Sequence, residues 1–91
     1  MAKQLLITVK GKVQGVFFRA TTRDKAESLS LKGWVKNNSD GTVNILAQGN
    51  QEKIDQFLNW CKEGPQSAKV ENISTMVPET QEQLDSFEIR Y

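Results

Sequence analysis

Nine residues, Gly11-Lys12-Val13-Gln14-Gly15-Val16-Phe17-Phe18-Arg19, join a segment of alternating apolar residues to a run of helix formers, and their types suit the binding of an anion. A glycine-punctuated turn that opens directly into a helix presents backbone N–H groups at the positive end of the helix dipole, a favourable seat for a phosphate-sized ion. The spacing alone is equally compatible with an ordinary strand-to-helix loop in which Gly15 serves turn geometry. Arg19 separates the two readings. Acidic residues are favoured in the first turn of a helix, so Arg19 and then Arg23 cost roughly a few tenths of a kcal/mol upward unless an anion docks nearby. A guanidinium is always charged, and its planar fork matches phosphate oxygens. Arg19 is therefore read as the clamp and Arg23 as a solvated surface residue. Phe18 is read as core. Phe17, pointing elsewhere, either lines the mouth of the pocket or packs without a role in it.

A second candidate lies in Gly33-Trp34-Val35-Lys36-Asn37-Asn38, on a strand that begins where the first helix ends. Asparagine is depleted in strands. Asn38 borders Ser39-Asp40-Gly41 and is explained by turn chemistry. Asn37 stands one residue further inside, where a carboxamide offers both a donor and an acceptor and can orient a water. Spacing leaves open whether it does so. Lys36 either adds positive potential or faces solvent.

Composition removes most rivals. The chain holds no histidine, which excludes an imidazole base, a phosphohistidine and a histidine zinc site. Cys61 is its only cysteine, so an internal disulfide and a CxxC pair are excluded too. A small domain without such staples fits a reducing compartment, and a cytoplasmic location is expected. A net charge of +1 is too small for a general nucleic-acid or membrane-surface binder. Its distribution is more telling: residues 1–36 carry eight Lys or Arg against Asp24 and Glu27, whereas residues 37–91 carry four against nine acids. The first third can attract a small anion. Lys36 to Gly41 superficially resembles a calcium loop, but its first and twelfth ligand positions would be Lys36 and Ala47, and no metal site is expected. No GxxxxGK[ST] occurs, and Thr42-Val43-Asn44-Ile45-Leu46 lacks the aromatics of an RNA-binding strand. Glu79, Glu82 and Asp85 are spread through a polar loop and read as solvation. Residues 1–10 hold only Leu5, Leu6, Ile7 and Val9 as strong apolar residues, short of a signal peptide or a membrane span.

The elements that must position these residues follow from periodicity. Leu5, Ile7 and Val9 alternate with Leu6, Thr8 and Lys10, a half-buried strand reaching roughly Gly11 to Val13. Ala20 to Leu31 reads as a helix that brings Thr22, Ala26 and Leu29 onto one narrow face, with Gly33 placed to stop it. Trp34–Asn38 and Thr42–Gln48 flank Asp40-Gly41, which supplies the positive φ of a tight hairpin. Asn50 is the expected N-cap of a second helix with Ile54, Phe57, Leu58 and Cys61 at i, i+3, i+4 and i+7, closed by Gly64 and Pro65. Lys69–Val77 reads as a fourth strand, Pro78–Gln83 as a polar loop, and Phe87, Ile89 and Tyr91 as the inward residues of a short final strand. About a quarter of the chain is Leu, Ile, Val or Phe, enough to fold as one domain over residues 1–91. The order predicts an α+β, ferredoxin-like βαββαβ sandwich: an antiparallel sheet with both helices on one face, plus a short extra C-terminal strand.

With these residues in view, the chain closely resembles the acylphosphatase family. The family's GxVQGVxFR appears as Gly11, Val13, Gln14, Gly15, Val16, Phe18 and Arg19, and its GWVxNxxxGxV as Gly33, Trp34, Val35, Asn37, Gly41 and Val43. The resemblance implies hydrolysis of the carboxyl-phosphate bond of small acyl phosphates, giving a carboxylate and inorganic phosphate with no metal or cofactor. It further implies that Arg19 binds the phosphoryl group, that backbone amides of Gln14, Gly15, Val16, Phe17, Phe18 and Arg19 cradle it, and that Asn37 positions the attacking water. The expected partners are the acyl phosphate and inorganic phosphate, with no nucleic acid or membrane, and the chain is expected to act as a monomer. Two rivals belong to other classes: a noncatalytic phosphate-binding regulatory domain of the same fold, which has no use for Asn37, and an RNA-binding module, which lacks its stacking aromatics.

Overall fold

The computed structural model describes residues 3–15, 17–66, 68–79, 81 and 83–90. In chain order these form β1 (Lys3–Lys12), α1 (Phe18–Ser28), β2 (Lys32–Asn37), β3 (Val43–Gly49), α2 (Gln51–Glu63), β4 (Lys69–Met76) and β5 (Phe87–Arg90). Tyr91, expected at the end of the last strand, lies outside the described residues, as do Val16 of the loop and Glu82.

The strands lie in the order β4-β1-β3-β2-β5. Pairing is antiparallel for β1 with β3, β1 with β4 and β2 with β3, as a ferredoxin-like sandwich requires. β5 instead runs parallel to β2, with Val35 opposite Ile89, so the five-stranded sheet is mixed. Chain direction explains this. β4 runs opposite to β1 and β2, and a connection that stays at the end where β4 finishes can only start β5 in the direction of β2.

Alternation builds the core. Ile7 and Val9 of β1, Val35 of β2 and Val43, Ile45 and Ala47 of β3 point to the helical side and are wholly buried. They form one cluster with Phe18 and Ala26 of α1 and Ile54, Phe57 and Cys61 of α2, so both helices cover the same face. Phe57 stacks on Trp60 at 6.2 Å between centroids and meets Phe87 edge-on at 6.1 Å, which ties β5 to α2.

α2 matches its expected span, with the Lys53 backbone N–H donating to Asn50 Oδ1 at 2.9 Å. α1 differs from the expected Ala20–Leu31 at both ends. It starts at Phe18 and closes at Ser28, because Ser30 adopts a left-handed φ of 57°. Ser30 N–H then donates to Glu27 O at 3.0 Å and Leu31 N–H to Ala26 O at 2.9 Å, the crossed pair that satisfies a helix end. Gly33 is thus not the stop signal. It sits inside β2, where a Cβ would collide with the Leu46 carbonyl oxygen of β3.

Candidate active site

Among the described residues of the β1–α1 loop, two are left-handed, Gly15 at φ 73° and Phe17 at φ 59°. Turns of this kind gather backbone N–H groups on their concave side, an arrangement that receives anions. Phe17 is also the N-cap of α1, yet it makes no side-chain capping bond, and no acidic residue follows in the first turn. The N–H groups of a first helical turn have no intrahelical acceptor. The start of α1 is therefore a place of unpaired donors and positive dipole, with no negative side chain of its first turn set against them.

That place is a cleft of about 290 Å³. The loop gives it Val13, Gly15 and Phe17, the first turn of α1 gives Phe18, Arg19 and Ala20, the end of β2 gives Asn37, and β5 gives Ile89. Arg19 and Asn37, 18 positions apart in sequence, thus face the same space. Arg19 is half-buried, and its Nη1 donates to the Arg90 carbonyl of β5 over a long 3.4 Å. Such a bond orients the guanidinium and yields readily to a better acceptor. Asn37 is half-buried, and its Oδ1 is buried with no hydrogen-bond partner among the described residues. A buried orphan acceptor costs about 1–3 kcal/mol, a cost a bound donor removes.

Gln14 has a different place from the other loop residues. Its Nε2 donates to the carbonyls of Asn38 at 2.8 Å and Thr42 at 2.9 Å, so the side chain fastens the loop to the β2–β3 hairpin. Its side-chain Nε2 is thereby engaged away from the cleft, whose lining includes Val13 and Gly15 on either side of it. The hairpin is itself closed by Asn38 N–H donating to Thr42 O at 2.8 Å and Asn38 Nδ2 to Thr42 Oγ1 at 2.9 Å, the turn role expected of Asn38. Asp40 accepts from the Thr42 hydroxyl and backbone N–H. Those bonds, the hydroxyl's first, hold its carboxyl below the ordinary 3.8.

The remaining candidates separate cleanly. Arg23 turns to Asp24 at 3.5 Å and Glu27 at 3.9 Å on the helix surface. Lys36 is exposed and, by alternation with Val35 and Asn37, projects from the helix-free side of the sheet. Phe18 is core, as expected. Cys61 is buried under α2, and burial pushes its thiol up to about 12, which makes it inert as a nucleophile. Val13, Ala20, Ile89 and the Arg90 carbonyl were not singled out as site groups by sequence reasoning. The alternation of Phe87 and Ile89 marks a strand, but nothing local tells which strand it joins.

A phenylalanine in the left-handed region costs on the order of 1–2 kcal/mol. Strain of this sort concentrates at binding and catalytic loops.

The protein-family model Acylphosphatase matches residues 5–89. An acylphosphatase of Pelotomaculum thermopropionicum is 38% identical over 85 residues, covering 93% of this chain and 92% of that protein. The crystal structure of an acylphosphatase from Bacillus subtilis superposes with a TM-score of 0.92 at 40% identity, covering all of both chains. An acylphosphatase structure from Coxiella burnetii gives 0.90 at 42% identity, covering 98% of this chain and 93% of the other.

Proposed function

This chain belongs to the acylphosphatase family, and from that premise we propose that it hydrolyses the carboxyl-phosphate bond of small acyl phosphates to a carboxylate and inorganic phosphate. The phosphoryl group sits against the loop amides of residues 14–19, with the Arg19 fork on its oxygens. A water held by the Asn37 carboxamide attacks phosphorus in line with the bond to the acyl oxygen. The new oxygen–phosphorus bond forms as the acyl oxygen leaves with its electron pair, and the water's proton passes to a phosphoryl oxygen of the substrate.

Chemistry makes this small set of groups sufficient. A carboxylate leaves with a conjugate-acid pKa of about 4, so no general acid is needed, and a chain without histidine can perform the reaction. The transition state is loose and spreads charge over the equatorial oxygens, so positioning and fixed positive donors supply most of the acceleration. The observation that carries the reading is the convergence of Arg19 and Asn37 on one cleft from separate elements. Anion binding needs only Arg19 and amides, whereas a partnerless Asn37 oxygen is what a positioned nucleophile requires.

No helix among the described residues is long and apolar enough to cross a membrane. The single buried thiol suits a reducing cytoplasm, where the chain acts as a one-domain monomer. Acetyl phosphate and benzoyl phosphate are the test substrates. Release of inorganic phosphate, inhibited competitively by added inorganic phosphate, is expected. Phosphate binding without turnover would reduce the site to an anion-binding domain.

A further inference from the structure

We infer that the Phe17 side chain selects the acyl group, favouring aromatic acyl phosphates over acetyl phosphate. The inference rests on the function proposed above and adds a residue and a substrate preference to it.

Phe17 is 85% exposed, more open than the other large exposed apolar residues among those described, Met76 and Val77. The fold has no use for that ring, since the core at this end of α1 is filled by Phe18. Phosphate binding has no use for it either. The loop asks of position 17 only a left-handed backbone and an amide, and glycine gives both without strain, as Gly15 does two residues earlier with open space around it. A phenyl group at φ 59° carries strain, and with 85% of the residue exposed little packing against the chain offsets it.

An acyl phosphate has two unlike ends. With its phosphoryl group on the loop amides and Arg19, in-line attack from the Asn37 side sends the acyl oxygen away from β2. The acyl group then crosses the rim of the cleft, where Phe17 stands and where half-buried Ala20 continues the apolar wall inward. A phenyl ring there meets an aromatic acyl group edge-on or offset-stacked and covers its apolar area. It offers little to a methyl group.

The test measures kcat/KM for benzoyl phosphate and acetyl phosphate in the wild type, Phe17→Gly and Phe17→Leu, with thermal melts of all three. Glycine relieves the strain, so Phe17→Gly keeps the fold. The expected result is a benzoyl-to-acetyl ratio about tenfold lower in Phe17→Gly, carried mainly by KM for benzoyl phosphate, with Phe17→Leu between the two. A ratio that stays within twofold of the wild type in Phe17→Gly, while both substrates are still hydrolysed, overturns the assignment of Phe17 and leaves the hydrolase reading intact. A wild-type protein that hydrolyses neither substrate overturns the hydrolase reading and this assignment with it.

Discussion

Phe17 and Asn50 hold equivalent positions, each the residue before the first turn of a helix, and only Asn50 acts as a cap. At α2 the backbone is extended (φ −77°, ψ 155°), the Asn50 carboxamide accepts from Lys53 N–H, and Glu52 lies in the first turn against the positive dipole end. At α1 the backbone is left-handed, the preceding side chain is apolar, no acid follows, and an arginine occupies the first turn. The chain satisfies one helix end with a side chain of its own and leaves the other without a side-chain cap or an acid in its first turn. Local sequence rules for stability are met at α2 and broken at α1, and the break coincides with the cleft.

The sharpest way to test that contrast is to blunt the cationic end of α1. Arg19→Lys keeps the charge but loses the fork, and kcat/KM should fall by about 10²–10³. In the wild type, millimolar phosphate should raise Tm by mass action on the native loop, and in Arg19→Lys that rise should shrink or vanish. A variant with near-parental kcat/KM would show that Arg19 is no clamp.

Asn37→Ala should cost about a hundredfold in kcat, the scale of a lost positioning group, while calorimetry finds inorganic phosphate bound as tightly as before. Should phosphate binding disappear instead, Asn37 is an anion ligand and the water must be held by another group.

The internally satisfied helix end predicts the reverse pattern. Asn50→Ala should remove about 1 kcal/mol of stability, lowering Tm by about 4–8 °C in a domain of this size, with kcat unchanged. A loss of activity without a loss of Tm would break the comparison.

The smallest expected effect lies in the hairpin that carries Asn37. Asp40 is held below 3.8 by Thr42, so its contribution is present above that value and is lost as pH falls through the lowered one. An NMR titration should therefore place its midpoint below 3.8. Asp40→Asn should differ in stability from the wild type near neutrality and converge with it in strong acid.

These contrasts also explain how much could be read from the sequence. α2 was legible because Ile54, Phe57 and Cys61 repeat at helical spacing and are the residues it buries, behind a side chain that caps. The ends of α1 were not, because Phe18 and Arg19 look like loop residues after a glycine turn. Ser30 also takes a conformation usually left to glycine, which shifted the stop signal to Gly33. Arg19 and Asn37 stood out for being ill suited to their local elements, a basic residue in a first turn and an amide in a strand. The side-chain latch of Gln14 and the approach of β5 were invisible, since each depends on partners more than 20 residues away.

The bond from Arg19 to the Arg90 carbonyl joins residues 71 positions apart. Protein synthesis runs from Arg19 towards Arg90 at about 5–20 residues per second, so on a translating ribosome the guanidinium precedes its backbone acceptor by roughly 4–14 s. With 11 residues α1 is marginal until the later core it packs on has been made, and β5 cannot join β2 until its own residues have been added. A nascent chain thus carries the glycine loop before it carries the strand that orients Arg19, and the cleft is incomplete until β5 has been made and has paired with β2.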